Sequence, residues 1–473
     1  MEYDMKHNSI PLLVIPPSKF LIDDKAFPSL GILWIATALT RSAGGRAPHV
    51  LDLAGLEDYA NALVKHLQRC PHEVVAITCT TPQFPAAVRL LRRVKAVYPD
   101  VVTVVGGPHP TVQPASAVQA GFDRVVVDDG MAALDVFAPD YSGPKIRRGL
   151  LTDMDTWGTP ARHLIDIESY HARLRTPRGD EQCTSMLWSF GCPYRCTFCC
   201  GRDLIFYRKL RTRSPDFILG EMKVVEDMYG IRSFWVFDDE VNLKKDWLES
   251  VCTVLHGTGY YWRAFIKANL FTEDVARMMA YGGCVETCTG VESGSARILK
   301  DIIQKETTPE INARWVQLSK EHGMRTKAFV MVGHPSETYE DVMATREWLI
   351  ENKPDNFDVS IMTPYPGSPV YNARYPQSAR ADFHTRTHAD MEQIDFPEID
   401  FSQDVVFYKG IPGEYRTAVS TPVLGSDDLV ALRDQIDREA REALGIPLYQ
   451  AGMVVDVPPW QSAIDHSMGQ SGR

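Results

Sequence analysis

The chain has 473 residues, 44% of them hydrophobic and 23% charged, with a formal net charge of −11 and ten cysteines. That length supports two or three domains with separate cores, and the lack of a basic run argues against nucleic acid as a partner. No apolar stretch reaches transmembrane length and residues 1–17 lack a signal-peptide pattern, so ten thiols without an export signal predict a soluble protein of the reducing cytoplasm.

From residue 10 to about 140, short apolar runs alternate with helix-length amphipathic segments. Runs at 10–15, 74–78, 101–105 and 124–127 have the composition of buried parallel strands, and 30–43, 57–69 and 86–98 have helical spacing. This alternation predicts an α/β doubly wound parallel sheet over residues 1–140, with ligands bound beyond the carboxyl ends of its strands. Two turns stand at that edge, Phe27-Pro28-Ser29-Leu30-Gly31 and Gly106-Gly107-Pro108-His109-Pro110-Thr111. A later loop reads Val127-Asp128-Asp129-Gly130-Met131. Residues 141–182 carry Pro144, Pro160 and Pro177 with little period, which predicts a linker.

A strand at 184–188 then leads into Gly191-Cys192-Pro193-Tyr194-Arg195-Cys196-Thr197-Phe198-Cys199-Cys200. The thiols of Cys192, Cys196 and Cys199 follow a C-x3-C-x2-C spacing. Three thiolates on so short a loop can hold three irons of a [4Fe–4S] cluster and leave the fourth iron open. Zinc would need a fourth ligand, which Cys200 or His171 could supply, although zinc sites usually come as two separated pairs. Buried structural thiols do not ordinarily number three or four in nine residues, and Cys200 reads as such a thiol beside a ligand.

Over 183–375 the βα rhythm returns, with strands at 184–188, 233–237, 261–266, 286–290, 325–332 and 358–362. Six strands with intervening helices predict a partial (β/α)6 barrel whose chemistry sits at the C-terminal strand face. Four motifs fall at those strand ends: Arg211-x-Arg213-Ser214-Pro215, Phe237-Asp238-Asp239-Glu240, Gly290-Val291-Glu292-Ser293-Gly294 and Gly333-His334-Pro335-Ser336-Glu337-Thr338. Residues 376–473 form a C-terminal extension with a helix at 426–444, expected to close over the barrel mouth. Tyr408, Glu414 and Tyr415 are its candidate substrate contacts.

The cysteine loop and the four motifs, in this order, resemble the signatures of radical S-adenosylmethionine (radical SAM) enzymes fused to an N-terminal cobalamin-binding domain. The resemblance implies that the amino and carboxylate groups of SAM chelate the open iron, and that one electron cleaves SAM to a 5′-deoxyadenosyl radical. The electron would come from a flavodoxin, a ferredoxin or a partner reductase. Asp238 and Asp239 could accept from the SAM amino group, the ordinary alternative being a helix N-cap. Arg263 or Lys267 could pair with its carboxylate, or either could be an ordinary surface cation. Glu292 resembles the family residue that accepts from the ribose hydroxyls. Gly290 and Gly294 permit close backbone approach, and the turn at Gly333 and Pro335 could meet the adenine edge.

The N-terminal domain departs from the family pattern in two places. The Asp-x-His-x-x-Gly motif that supplies a lower cobalt ligand is absent, and Asp128-Asp129 replaces the usual Gly-Glu-Gly-Glu loop. His109 could face a corrin or simply cap its turn. Two adjacent carboxylates near a nucleotide-tail phosphate repel it unless neutralised, with Arg147 and Arg148 as candidate partners. These departures lead to the expectation that the domain is kept without cobalamin, as in the branch exemplified by the aminoglycoside diol-dehydratase of the apramycin pathway. The radical would then dehydrate an amino sugar, with Glu240 as the carboxylate base. The alternative is a cobalamin-dependent C-methyltransferase. A non-catalytic cobalamin or iron–sulfur sensor fits less well, because carriers normally saturate their cluster with four ligands.

Overall fold

The computed structural model describes residues 10–18, 21, 23–201, 204–376, 393–403 and 416–447. The first sheet contains β1 (Leu12–Ile15), β2 (His49–Asp52), β3 (Val74–Thr78), β4 (Val102–Gly106), β5 (Arg124–Asp128) and β6 (Ile146–Gly149), ordered β2-β1-β3-β4-β5-β6 with every pair parallel. Both faces of the strands are buried. Leu13 and Ile15 join Leu33 and Leu39 of the helix Leu30–Ser42, while Leu12 and Val14 join Leu63, Leu67 and Phe84 of the helices Tyr59–Arg69 and Phe84–Val97. That two-sided burial is why the strands are continuous apolar runs.

The two edge strands have a different composition. β2 is His-Val-Leu-Asp and β6 is Ile-Arg-Arg-Gly, each solvated on one side. Charged, short edges protect a sheet from further pairing, and they carry no apolar run for a sequence reading to find. The segment expected to be a linker over 141–182 therefore contributes β6 to the first sheet. It also supplies Met154 and Trp157, which bury against Trp34.

The second sheet runs β15-β14-β13-β12-β11-β8-β7, built from β7 (Arg173–Thr176), β8 (Gly179–Met186), β11 (Ser233–Val236), β12 (Tyr261–Phe265), β13 (Cys284–Glu292), β14 (Arg325–Val332) and β15 (Asn356–Ile361). The six strands β8 and β11–β15 are parallel, and β7 closes one end as the antiparallel arm of a hairpin. A two-stranded antiparallel ladder, β9 (Ser189–Phe190) with β10 (Arg211–Thr212), stands apart. The helix Pro215–Tyr229 shows how local sequence sets these bounds. Ser214 accepts from the Phe217 N–H, Pro215 opens the first turn, and Gly230 ends it with φ 68°. Among the described residues no helix is long and apolar enough to cross a membrane.

The C-terminal helix Ser426–Leu444 lies along the open edge of this sheet. Arg433 Nε donates to the Val359 carbonyl at 3.1 Å and Arg441 Nη2 to the Phe357 carbonyl at 2.7 Å, both on the edge strand β15. Of the extension expected to close over the barrel mouth, this helix lies against the edge strand β15. The segment holding Tyr408, Glu414 and Tyr415 lies outside the described residues. Arg441 is buried beside Asp437, its Nε 2.8 Å from Oδ1. Arg441→Met leaves Asp437 charged and uncompensated, and should destabilise the second domain by about 3–5 kcal/mol. Replacing both as Asp437→Leu/Arg441→Met should recover most of that loss, measured as the urea midpoint of the domain's unfolding transition.

Candidate functional site

β8 ends at Met186, and the chain leaves the sheet through the β9–β10 ladder, which pins the base of the cysteine loop. Gly191 donates to Asp239 Oδ2 at 3.0 Å, Cys192 N–H to the Tyr207 carbonyl at 2.9 Å, and Thr197 N–H to the Ile303 carbonyl at 2.9 Å. Gly191 has φ +105°, and a Cβ there would lie 2.6 Å from the Lys209 carbonyl oxygen, so the turn into Cys192 requires glycine. Burial pushes the Cys192 thiol up to about 12 and raises Cys196 and Cys199 as well. A metal that takes the thiolates relieves that cost. Among the described residues, the metal-ligand atoms that converge within 4.8 Å of one another belong to His49, His66, Cys70 and His72, remote from this loop. His171 is turned away to Asp23, 2.7 Å from its carboxylate.

The two aspartates of the Phe237–Glu240 motif are already engaged. Asp238 is buried and accepts from Trp188 N–H at 2.7 Å and Ser189 Oγ at 2.6 Å, and burial raises its carboxyl to about 7. Asp239 holds Gly191 and the Tyr207 hydroxyl. Both tie β11 to the segment around the cysteine loop, each carboxylate oxygen accepting one hydrogen bond. Glu240 does face the loop, its Oε2 3.9 Å from Cys192 Sγ.

The cations divide in the same way. Arg263 is buried, 2.7 Å from Glu286, hydrogen-bonded to Cys288 and stacked 3.6 Å over Trp235, so it belongs to the core. Lys267 Nζ is buried without a hydrogen-bond partner and sits 3.8 Å over the Tyr194 ring. An ammonium left so exposed to desolvation marks a place for an anion. Glu292, at φ 63°, pairs with Lys305 at 2.9 Å, and Lys305 also reaches the Gly290 carbonyl. Lys305 and Lys267 both lower the Cys196 thiol against the effect of its burial.

Lys305 was invisible to motif reading, because it follows a π-helical turn at Ile298–Ile302 with no period of its own. Gly294 serves helix packing, since a Cβ there would lie 2.2 Å from the Ala344 carbonyl. The Gly333 and His334 N–H groups are taken by Glu337 Oε2 at 2.5 and 3.1 Å.

A cavity of about 710 Å³ opens between the C-terminal ends of the first sheet and the cysteine loop. Its walls include Phe27–Gly31, the Gly106–Gly107 turn and Val126 on one side, and Cys199, Cys200, Phe206 and Tyr207 on the other. Thr78, Thr80, Gln83 and Thr111 are polar points in a largely apolar lining. Gly107, at φ +105°, has no room for a Cβ, which would meet the Cys79 carbonyl at 2.9 Å. The lining suits a broad, flat, mostly apolar ligand such as a corrin, and among the described residues no histidine is part of it. His109 is buried instead, between Thr81 Oγ1 at 3.2 Å and Ser116 Oγ at 2.9 Å and stacked 4.0 Å on Phe84.

The acidic loop is neutralised. Asp128 lies 3.1 Å from Arg148, and Asp129 lies 2.9 Å from Arg211 Nη1 while accepting from the N–H and hydroxyl of Thr152. The repulsion expected of two unbalanced carboxylates is absent, because an arginine from each side of the cavity compensates one of them. Arg147, the other candidate, pairs with Asp135 at 3.1 Å.

Residues 186–349 match the radical SAM superfamily and residues 25–138 the B12 binding domain. The chain is 27% identical over 409 residues to an uncharacterized methyltransferase of Pyrococcus horikoshii, covering 81% of this chain and 87% of that protein. It is 26% identical to the anaerobic magnesium-protoporphyrin IX monomethyl ester cyclase of Rubrivivax gelatinosus, covering 63% and 58%. It is 24% identical to the bacteriochlorophyllide d C-12(1)-methyltransferase of Chlorobaculum tepidum, covering 63% and 65%. The fold is shared with the radical SAM methyltransferase TsrM of Kitasatospora setae, solved with cobalamin and a [4Fe–4S] cluster, at a TM-score of 0.64, 18% identity and coverage of 92% and 100%. With its cysteine loop at the end of the first parallel strand of a partial barrel, and a doubly wound domain ahead of it, the chain carries a radical SAM domain over residues 186–349 and a B12-binding domain over residues 25–138.

Proposed function

We propose that this protein is a cobalamin-dependent radical SAM methyltransferase that alkylates a carbon of a small molecule. One observation carries the reading: a single cavity joins the ligand edge of the B12-binding sheet to the cysteine loop. The neutralised Asp128 and Asp129 remove the objection to cobalamin, and the methyltransferase relatives support methyl transfer over dehydration of an amino sugar. When bound, the cluster with SAM supplies radical generation and cobalamin supplies a methyl carrier.

The chain's own residues bind and orient these groups. Cys192, Cys196 and Cys199 would hold three irons. Lys267 would receive the SAM carboxylate, because its buried ammonium has no other anion in hydrogen-bond range. Glu240, whose Oε2 makes a long 3.9 Å contact with Cys192 Sγ, would accept from the SAM amino group. Its role passes from base to binding. Glu292, positioned by Lys305, would meet the ribose hydroxyls. On the other wall, the bare Gly106–Gly107 turn would lie against the corrin, and the apolar lining would exclude water from the shared space.

Two outcomes test the cluster and SAM roles. Cys192→Ala, Cys196→Ala and Cys199→Ala should each abolish formation of 5′-deoxyadenosine or SAM-derived methyl transfer and reduce iron content, while Cys200→Ala should keep the cluster spectrum. Lys267→Met should keep that spectrum yet weaken SAM binding by roughly 1.5–3 kcal/mol, or about tenfold to a hundredfold, read by equilibrium titration. Unchanged affinity would remove Lys267 from the site.

The function itself is tested with protein made in cobalamin-replete cells. Cobalt should copurify at about one per chain, and Arg211→Met, which strips the compensation from Asp129, should lower it severalfold. Turnover with deuteromethyl-SAM should place labelled methyl in a product. Cobalt-free enzyme that converts an amino sugar without methylation would return the chain to the dehydratase branch.

A further inference from the structure

A second group of ligand-type side chains lies at the opposite end of the first sheet. His49 is the first residue of β2, His66 lies in the last turn of the helix Tyr59–Arg69, Cys70 follows that helix, and His72 stands two residues before β3. One donor atom from each falls within 4.8 Å of the other three. The cavity and the cysteine loop lie beyond the other ends of these strands, so this group takes no part in the chemistry proposed above.

The orientation of the rings is what gives the group its character. His72 Nδ1 is 2.7 Å from the Ile10 carbonyl, and only a ring N–H can face a carbonyl at that distance. His72 is therefore the Nδ1–H form, with its Nε2 lone pair directed into the group, 3.1 Å from His49 Nδ1. Cys70 Sγ lies 3.4 Å from the same His49 nitrogen. His66 Nε2 is buried and has no hydrogen-bond partner. A ring held by a backbone carbonyl on one nitrogen and bare on the other is the arrangement by which proteins aim histidine at a metal. His66 and Cys70 are four apart, so helical geometry brings them to one side.

We propose that His49 Nδ1, His66 Nε2, Cys70 Sγ and His72 Nε2 form a structural zinc site. Three neutral imidazoles and one thiolate are a borderline donor set suited to zinc and unsuited to calcium or magnesium. A tetrahedral zinc with ordinary bond lengths spaces its donors by about 3.3–3.6 Å, close to the 3.1 and 3.4 Å separations already present. Binding forms one zinc–sulfur and three zinc–nitrogen bonds and releases the Cys70 thiol proton to solvent. His49 is exposed, so the ion has a direct entry path. The bound ion would join the edge strand β2, which pairs only with β1, to the helix end and to the approach of β3. It would thereby close an edge that otherwise rests on one ladder.

The test uses the cluster-reconstituted full chain, incubated with zinc chloride and desalted. The wild type should retain about one zinc per chain, with one sulfur and three nitrogens in its X-ray absorption shell. Cys70→Ser and His49→Gln should each retain less than a tenth of that zinc with iron unchanged. Chelator should lower the thermal midpoint of the wild type and leave that of Cys70→Ser where it was. His49 is on the surface, so His49→Gln serves if Cys70→Ser does not fold. A wild type without zinc, variants that keep it, or a zinc shell of several sulfurs (zinc lodged in the cysteine loop) would each overturn the assignment.

Discussion

Arg211 spans the seam between the two sheets. Its guanidinium reaches back from β10 to Asp129 and to the Thr152 carbonyl, both at 2.9 Å. Two of its nitrogens are buried with no hydrogen-bond partner, yet the group lies 5.0 to 5.3 Å from the rings of Phe190, Phe206 and Trp157. Aromatic faces stand in for the missing acceptors, which is how a cation survives in so dry a place. Because Arg211 pairs with Phe190 in the ladder beneath the cysteine loop, the same residue fixes the loop and the N-terminal domain relative to each other. The cavity is the space that this contact leaves open.

A second buried network works alongside it. Glu221, inside the helix Pro215–Tyr229, faces Arg162 at 2.9 Å and Arg213 at 3.9 Å, and Arg162 also donates to the Ser185 carbonyl on β8. Arg213 is enclosed by Trp34 and Phe217 and donates to the Gly158 carbonyl. Charge buried in this way gives little net stability, but removal of one partner is costly, so such networks favour a single arrangement of domains. A single arrangement keeps the two walls of the cavity at a fixed separation.

The core strands and the cysteine loop were legible because each follows a local rule. Two-sided burial gives β1, β3, β4 and β5 their apolar centres, and the three cysteines stand close together on one loop. Edge strands β2 and β6 obeyed a different constraint, solvation, and so left no apolar signal. Site roles were harder to read. Asp238 and Asp239 sit at a strand end as a ligand carboxylate would, yet backbone and hydroxyl donors from the cysteine loop claim them. Arg263 lies within β12 and Lys267 two residues beyond its end, but Glu286 pairs with the first, while the second sits over Tyr194 with no hydrogen-bond partner among the described residues. Which polar group is spoken for is a tertiary fact.

Asp128 and Asp129 make the same point about electrostatics. As a sequence the pair reads as a patch hostile to phosphate, with a cost of several kcal/mol if both stay charged at intermediate dielectric. In the fold their partners come from elements far along the chain, Arg148 from the edge strand β6 and Arg211 from the barrel. The sign of the local field is thereby cancelled on one side by an exposed arginine and on the other by a buried one. Once compensated, the Asp129 carboxylate acts as an anchor that holds Thr152, Met131 and Arg211 together. A feature that would repel a nucleotide-tailed cofactor in isolation is, in the fold, a pair of compensated carboxylates in the lining of the cavity.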